Sequence, residues 1–326
     1  MNPSMDIQGK TLLVTGGAGL VGSHIVDDLV RAGAKEIRVY DNFARGKPEH
    51  LAWAQKNGKI VTIVGDIRDR DCIHQAMQGV DGCYHEAALW LRQCQERPRD
   101  AIDINITGTF NVLEACVNAK VKKVVAASSS SVYGDGLYLP TDENHPFNND
   151  LFYGATKVTT EQLYRSFYKK YGLDFVAFRY LNIYGPRQPF QAAYMDVIMH
   201  FLNRIDAGEP PRIEGDGSQT VDLVFVEDCA RANILAMASD VTNEFFNVAS
   251  GQETSLKELA DLLLDICGRR DIRPIYVPRD TKLVSRRLGC PKKADRMLGF
   301  RTQISVREGM SRVIAWRQEV KAHQTA

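Results

Sequence analysis

A short apolar run, Thr11–Val14, passes without a break into Thr15-Gly16-Gly17-Ala18-Gly19-Leu20-Val21-Gly22. Glycines at a three-residue interval across a strand-to-helix turn make a dinucleotide cradle. Gly16 permits the tight turn and Gly19 lets backbone approach a pyrophosphate. Gly22 lets the helix pack close to the sheet, and the helix N-terminus, with Leu20 and Val21, faces the phosphates. Asp41 ends the next strand, 19 residues past Gly22, where an acidic group bonds both ribose hydroxyls. Its charge would repel a 2′-phosphate, so NAD rather than NADP is expected. Asp66-Ile67, just after the third strand, suits contact with the adenine, although an aspartate at a strand end is also a common helix cap.

The alternation that starts here continues. Thr11–Thr15, Ile37–Tyr40, Ile60–Val64, Gly82–His85, Val124–Ala127 and Phe175–Phe178 read as strands. Between them Val21–Ala32, Arg70–Met77, Ala101–Ala119 and Phe152–Tyr171 carry apolar residues at three- and four-residue spacing, as sheet-covering helices do. Right-handed crossovers then predict an α/β fold with a doubly wound parallel sheet of the Rossmann type. Beyond Asn182 the rhythm changes, with loop signals at Gly185-Pro186, Gly208–Pro211 and Gly215–Gly217, an apolar run at Leu223–Val226 and a helical stretch Ser255–Cys267. The expected division is a dinucleotide-binding domain over 8–181, with 223–250 returning to the sheet. A smaller C-terminal α/β lobe for the substrate takes 182–222 and 251–326.

Bulk properties narrow the possibilities. The 41 basic and 40 acidic side chains nearly cancel, so no polyanion-binding stripe is implied and nucleic acid is not an expected partner. Seven cysteines without C-x-x-C spacing suit reduced, buried thiols, and neither a metal site nor a disulfide framework is expected. The first residues lack a basic and an apolar signal region, and no apolar run reaches the roughly 18 residues of a membrane span. A cytoplasmic protein with no membrane association is the expectation.

Chemistry enters with Tyr153 and Lys157, four residues apart on a predicted helix. Both side chains then share a face, and the ammonium is expected to depress the phenol's pKa toward that of a general base. Upstream, Val124–Ala127 ends in Ser128-Ser129-Ser130-Ser131-Val132-Tyr133-Gly134, which brings hydroxyls to the sheet edge where open α/β folds bind ligands. With these residues in hand, the chain resembles the extended short-chain dehydrogenase/reductase family, in particular its nucleotide-sugar epimerases. The likeness spans nearly the whole chain: the glycine turn, Asp41-Asn42, Asp66-Ile67, Ala87-Ala88, Asn105 with Gly108-Thr109, the serine strand end, Tyr153 with Lys157, Arg179–Arg187 and Gly215–Gly217.

The resemblance implies NAD bound by the glycine turn with Asp41, Asn42, Asp66, Ile67, Ala87, Ala88, Asn105, Lys157 and Tyr180. It also implies that Tyr153 takes the proton of a sugar 4-hydroxyl as hydride leaves C4. Lys157 would hold the nicotinamide ribose, and Ser129 would hydrogen-bond the oxygen that becomes a carbonyl. A homodimer built on Ala101–Ala119 and Phe152–Tyr171 is implied as well. Related 4,6-dehydratases resemble the chain but carry Asp-Glu after the catalytic Ser/Thr, where this sequence has Ser130-Ser131. Those serines suit a C6 hydroxyl or a C6 carboxylate. UDP-glucose/galactose and UDP-glucuronate/galacturonate epimerisation both stay open, with the hexoses placed first.

Asn182 matches the family's contact to the substrate diphosphate, and Arg187 and Arg279 are the basic candidates beside it. Val221 stands where the family usually has arginine, a loss that Arg286 or Arg287 could make good. Trp90, Leu91 and Arg92 stand where small polar residues are common. A decarboxylase, reductase, dehydratase or small-alcohol dehydrogenase on the same scaffold is the enzymatic alternative, and a noncatalytic dinucleotide binder is the other.

Overall fold

The computed structural model describes residues 5–190, 196–278 and 286–325. Seven strands form its main sheet: β1 (Thr11–Thr15), β2 (Glu36–Asp41), β3 (Ile60–Val64), β4 (Gly82–His85), β5 (Lys123–Ser129), β6 (Asp174–Tyr180) and β7 (Glu244–Val248). Their spatial order is β7-β6-β5-β4-β1-β2-β3, and every neighbouring pair is parallel. Each strand reaches the next through a crossover, so helices cover both faces. These are α1 (Leu20–Arg31), α2 (Arg70–Met77), α3 (Thr109–Asn118), α4 (Phe152–Tyr171) and α5 (Val226–Ala238).

The two-residue period of a strand sorts the apolar side chains. Leu12 and Val14 pack with Ile25 and Leu29 of α1 and Ala232 of α5, whereas Leu13 turns to the opposite core with Ile73 of α2 and Val112 of α3. With both faces covered, the centre of β1, Leu12–Val14, is continuously apolar and alternation is lost. The order runs outward from β1 to β3 in one direction and from β4 to β7 in the other. The crevice between the C-terminal ends of β1 and β4 is therefore the topological switch point, where ligands of open α/β sheets bind.

Two expected elements form differently. Ala101–Ala119 is helical, but Ile102–Gly108 winds in wider π turns before α3 begins. The run at Leu223–Val226 forms a strand only over Leu223–Phe225, and it pairs with Asn182–Tyr184 outside the main sheet. That pairing follows from β6, whose chain leaves the sheet at Leu181. Within 223–250, the segment that joins the main sheet is β7. A separate apolar core serves the C-terminal lobe, with Phe201 and Leu202 packed with Leu259 and Leu263 of the helix Leu256–Ile266. Asp222, fully buried, joins lobe to sheet. Its carboxylate accepts from the N–H groups of Ser250 (2.8 Å), Gly251 (3.1 Å) and Gly289 (3.1 Å), and its carbonyl accepts from Asn182 N–H (3.1 Å). No helix among the described residues is long and apolar enough to cross a membrane.

Candidate active site

A cavity of about 620 Å³ opens at the switch point and runs from the end of β3 to the lobe. Its floor is the glycine turn. Gly16 has φ +67°, and a Cβ there would lie 2.8 Å from Ala87 N, while a Cβ on Gly22 would lie 2.2 Å from Gly16 O. Any side chain at either position would break the cradle, so the turn fits the backbone approach a dinucleotide needs. Gly19, Leu20 and Val21 line the same floor, and Ala87 and Ala88 form the opposite lip.

At the far end Asp41 is held in place by the turn it follows. Its Oδ2 accepts from Ala18 N (3.0 Å) and its Oδ1 from Phe43 N (2.8 Å), while burial pushes its carboxyl above the usual range. Asp66 is gripped by both Nε (2.9 Å) and Nη2 (2.8 Å) of Arg68 and by Asn42 Nδ2 (3.0 Å). That arginine holds its carboxyl down at about 2. Ile67 and Asn42 also line this end.

Ser129, Tyr153, Lys157 and Tyr180 line the middle of the cavity. Ser129 is the last residue of β5, and its neighbour Ser128 is anchored to Glu161 (2.6 Å), which in turn holds Arg179 in a buried ion pair (2.7 Å). Tyr153 opens α4, and Lys157, one turn on, donates to Ala127 O (2.8 Å) with its Nζ 5.7 Å from the centre of the Tyr153 ring. The expectation that Lys157 depresses the phenol needs correcting. Burial pushes Tyr153 up to about 12, and the hydrogen-bonding contact with Ser129 and the field of Arg45 only partly offset it. The ammonium is tied to a backbone carbonyl, and burial brings it down to about 8 although Glu86 acts against that.

Other expected contacts stand back from the cavity. Asn105, at the centre of the π turns, donates to Leu89 O (3.0 Å) and Thr156 Oγ1 (3.0 Å) and accepts from Leu89 N (2.7 Å). It therefore braces the Ala87–Leu89 wall from behind. Ser130 and Ser131 are buried in the short turn that follows Ser129, and Ser131 N–H bonds Ser129 Oγ (3.1 Å). They set the position of Ser129 more directly than they meet a sugar.

At the lobe end, Asn182 lines the cavity, as does Arg187, whose Nη2 is paired with Asp27 of α1 (2.6 Å). Arg187 Nη1 is buried with no hydrogen-bond partner among the described residues, so one face of the guanidinium is spoken for and the other is not. Arg279 lies outside the described residues. Of the two candidates for replacing the arginine absent at Val221, Arg286 turns outward to Glu253 (2.6 Å). Arg287 is half-buried, with burial lowering its pKa against the opposing fields of Asp135 and Tyr153. Trp90 lines the wall with the Arg45 guanidinium 4.1 Å above its ring, while Arg92 is exposed.

Among the cavity residues that the sequence did not single out is Glu86. It directly follows β4, and burial lifts its carboxyl to about 7. The available signal was an acidic residue at the C-terminal end of an otherwise buried strand.

A doubly wound sheet with a glycine cradle, an acidic ribose position and a Ser, Tyr and Lys set on one cavity defines an NAD-binding enzyme. The chain belongs to the NAD dependent epimerase/dehydratase family, whose model matches residues 12–249. It is 37% identical to a Methanocaldococcus jannaschii protein provisionally named a UDP-glucose 4-epimerase, over 94% of this chain and 97% of the relative. It is 31% identical to the UDP-N-acetyl-alpha-D-glucosaminuronate decarboxylase of Bacillus cytotoxicus, over 96% and 99% of the two chains. Among solved structures, the UDP-N-acetylglucosamine 4-epimerase of Methanobrevibacter ruminantium, in complex with UDP-N-acetylmuramic acid, superposes with a TM-score of 0.91 at 32% identity. That match covers 96% of this chain and 99% of that one.

Proposed function

We propose that this enzyme epimerises the sugar of a UDP-linked substrate at C4, the sugar being a hexose or a hexuronate. The observation that carries the proposal is the cavity shared by the cradle and by Ser129, Tyr153 and Lys157, with serines rather than carboxylates following Ser129. A base able to work at C5 or C6 is missing from that strand end, which weighs against dehydration. Relatives named for UDP-sugars favour the uridine nucleotide.

In this reading, Gly16, Gly19 and Gly22 with Asp41 and Asp66 would hold NAD, which would supply a reversible hydride acceptor and a positive charge that favours the ionised form of Tyr153. Tyr153 accepts the proton of the 4-hydroxyl. Ser129 donates a hydrogen bond to the same oxygen as it becomes a carbonyl, and Lys157 holds the nicotinamide ribose. The 4-keto sugar turns over, and Tyr153 returns the proton to the oxygen on the other face. No net oxidation follows. Asn182, Arg187 and Arg287 receive the diphosphate. A panel of UDP-sugars analysed by chromatography tests this: one C4 epimer without accumulated NADH is expected. A pentose product, a 6-deoxy-4-keto product or stoichiometric NADH would refute it.

A further inference from the structure

The chemistry just described leaves Glu86 without a task. Its N–H donates to Thr15 O (3.1 Å), which fixes it at the sheet edge beside the glycine turn. The Tyr180 hydroxyl lies 3.1 and 3.3 Å from the two carboxylate oxygens and donates to them, and it accepts in turn from Asn233 Nδ2 (2.8 Å). Held this firmly in a ligand cavity, the carboxylate when ionised places a negative charge at a defined point. The titratable groups within its field are Lys157, Tyr153 and Tyr164 on α4, Tyr180 on β6 and Cys229 on α5. Of these, Lys157 is the one that is charged near neutrality.

We propose that Glu86 sets the redox balance of the bound nicotinamide, holding it in the oxidised form. The inference rests on NAD occupying the cavity with its reactive ring beside Tyr153, in the cavity that Glu86 and its partner Tyr180 also line. The oxidised ring carries a unit positive charge and the reduced ring carries none, so a nearby anion favours the first and a nearby cation the second. Lys157 alone would bias the site toward NADH. Glu86 opposes that bias, so return of hydride to the keto sugar still in the cavity is favoured and less of the reduced enzyme accumulates.

The test is exchange of the purified holoenzyme against equimolar NAD⁺ and NADH near pH 8, followed by denaturation and chromatography of the released nucleotides. Glu86→Gln keeps an acceptor for Tyr180 and removes the charge, and it is expected to move the bound ratio toward NADH by about tenfold or more. A ratio within about twofold of wild type, or equal weakening of both forms, overturns the proposal. Should that variant fail to fold, Glu86→Asp and Glu86→Ser take its place, and only Glu86→Ser, which removes the charge, is expected to move the ratio toward NADH. An unmoved ratio in Glu86→Ser refutes it. Wild-type protein that binds neither nucleotide would refute the cofactor site itself, a failure distinct from an unmoved ratio.

Discussion

Tyr153→Phe removes one oxygen from a ring that packs on Leu89, Cys94 and Ala101. The phenyl ring remains, so this small cluster keeps its contacts. What is lost is the hydrogen-bonding contact with Ser129, about 0.5–1.5 kcal/mol, against which stands the relief of a hydroxyl held in a confined site. The melting temperature should therefore stay within about 4 °C of wild type. Turnover should behave differently. The variant loses the group placed to accept the 4-hydroxyl proton, and a positioned general base contributes about 10²–10⁴-fold, or about 3–5.5 kcal/mol of barrier. Because the nucleotide contacts lie elsewhere in the cavity, the loss should fall on kcat and leave KM nearly unchanged. The assay is chromatographic appearance of the C4 epimer alongside thermal unfolding. A folded variant that retains more than about a tenth of wild-type turnover would refute the assignment.

Three further expectations follow from the same geometry. Protein denatured after purification should release NAD, and Asp41→Asn should raise the bound share of NADP about tenfold by removing a fixed negative charge; an unchanged share refutes the role. Lys157 is protonated below about 8 and loses its charge as pH rises through that value, so kcat/KM should fall on the alkaline side near 8. A profile flat to about pH 10 would be incompatible with a needed ammonium. Ile102, Phe110 and Phe152, 43–49% exposed on adjoining helical segments, are expected to be covered by a second copy of the chain. Sedimentation should give a dimer that Phe110→Asp weakens; a wild-type monomer at micromolar concentration rules the dimer out.

The parts legible in the sequence are those set by local backbone geometry. The strands Thr11–Thr15, Ile60–Val64 and Gly82–His85 begin and end where their apolar runs do, and the glycine interval marks a turn that tolerates no Cβ. The parts that stayed hidden depend on distant partners. Nothing local to Leu223–Phe225 says that it will pair with Asn182–Tyr184 and not with the main sheet. Arg187 reads as a free cation until α1 brings Asp27 against it, 160 residues away in sequence. The i, i+4 spacing rightly puts Tyr153 and Lys157 together, but it carries no information about Ala127 O, which claims the ammonium, or about the burial that raises the phenol. Glu86 is the same case: its interest comes from Tyr180 and Lys157, which only the fold delivers.

The carboxylate of Asp222 bears on how a substrate gets in. Asp222 ends the first segment of the lobe, and of the four N–H groups that converge on it those of Asn182, Gly251 and Gly289 come from the lobe and that of Ser250 from the end of the sheet domain. Swinging the lobe away like a clamshell would strip the Ser250 N–H (2.8 Å) and hydroxyl (2.6 Å) bonds from a desolvated anion, at about 1–3 kcal/mol or more for each unsatisfied group. The boundary thus resists opening at this point. Trp90 and Val221 line the cavity, so with the lobe in place these two side chains bear on what can enter.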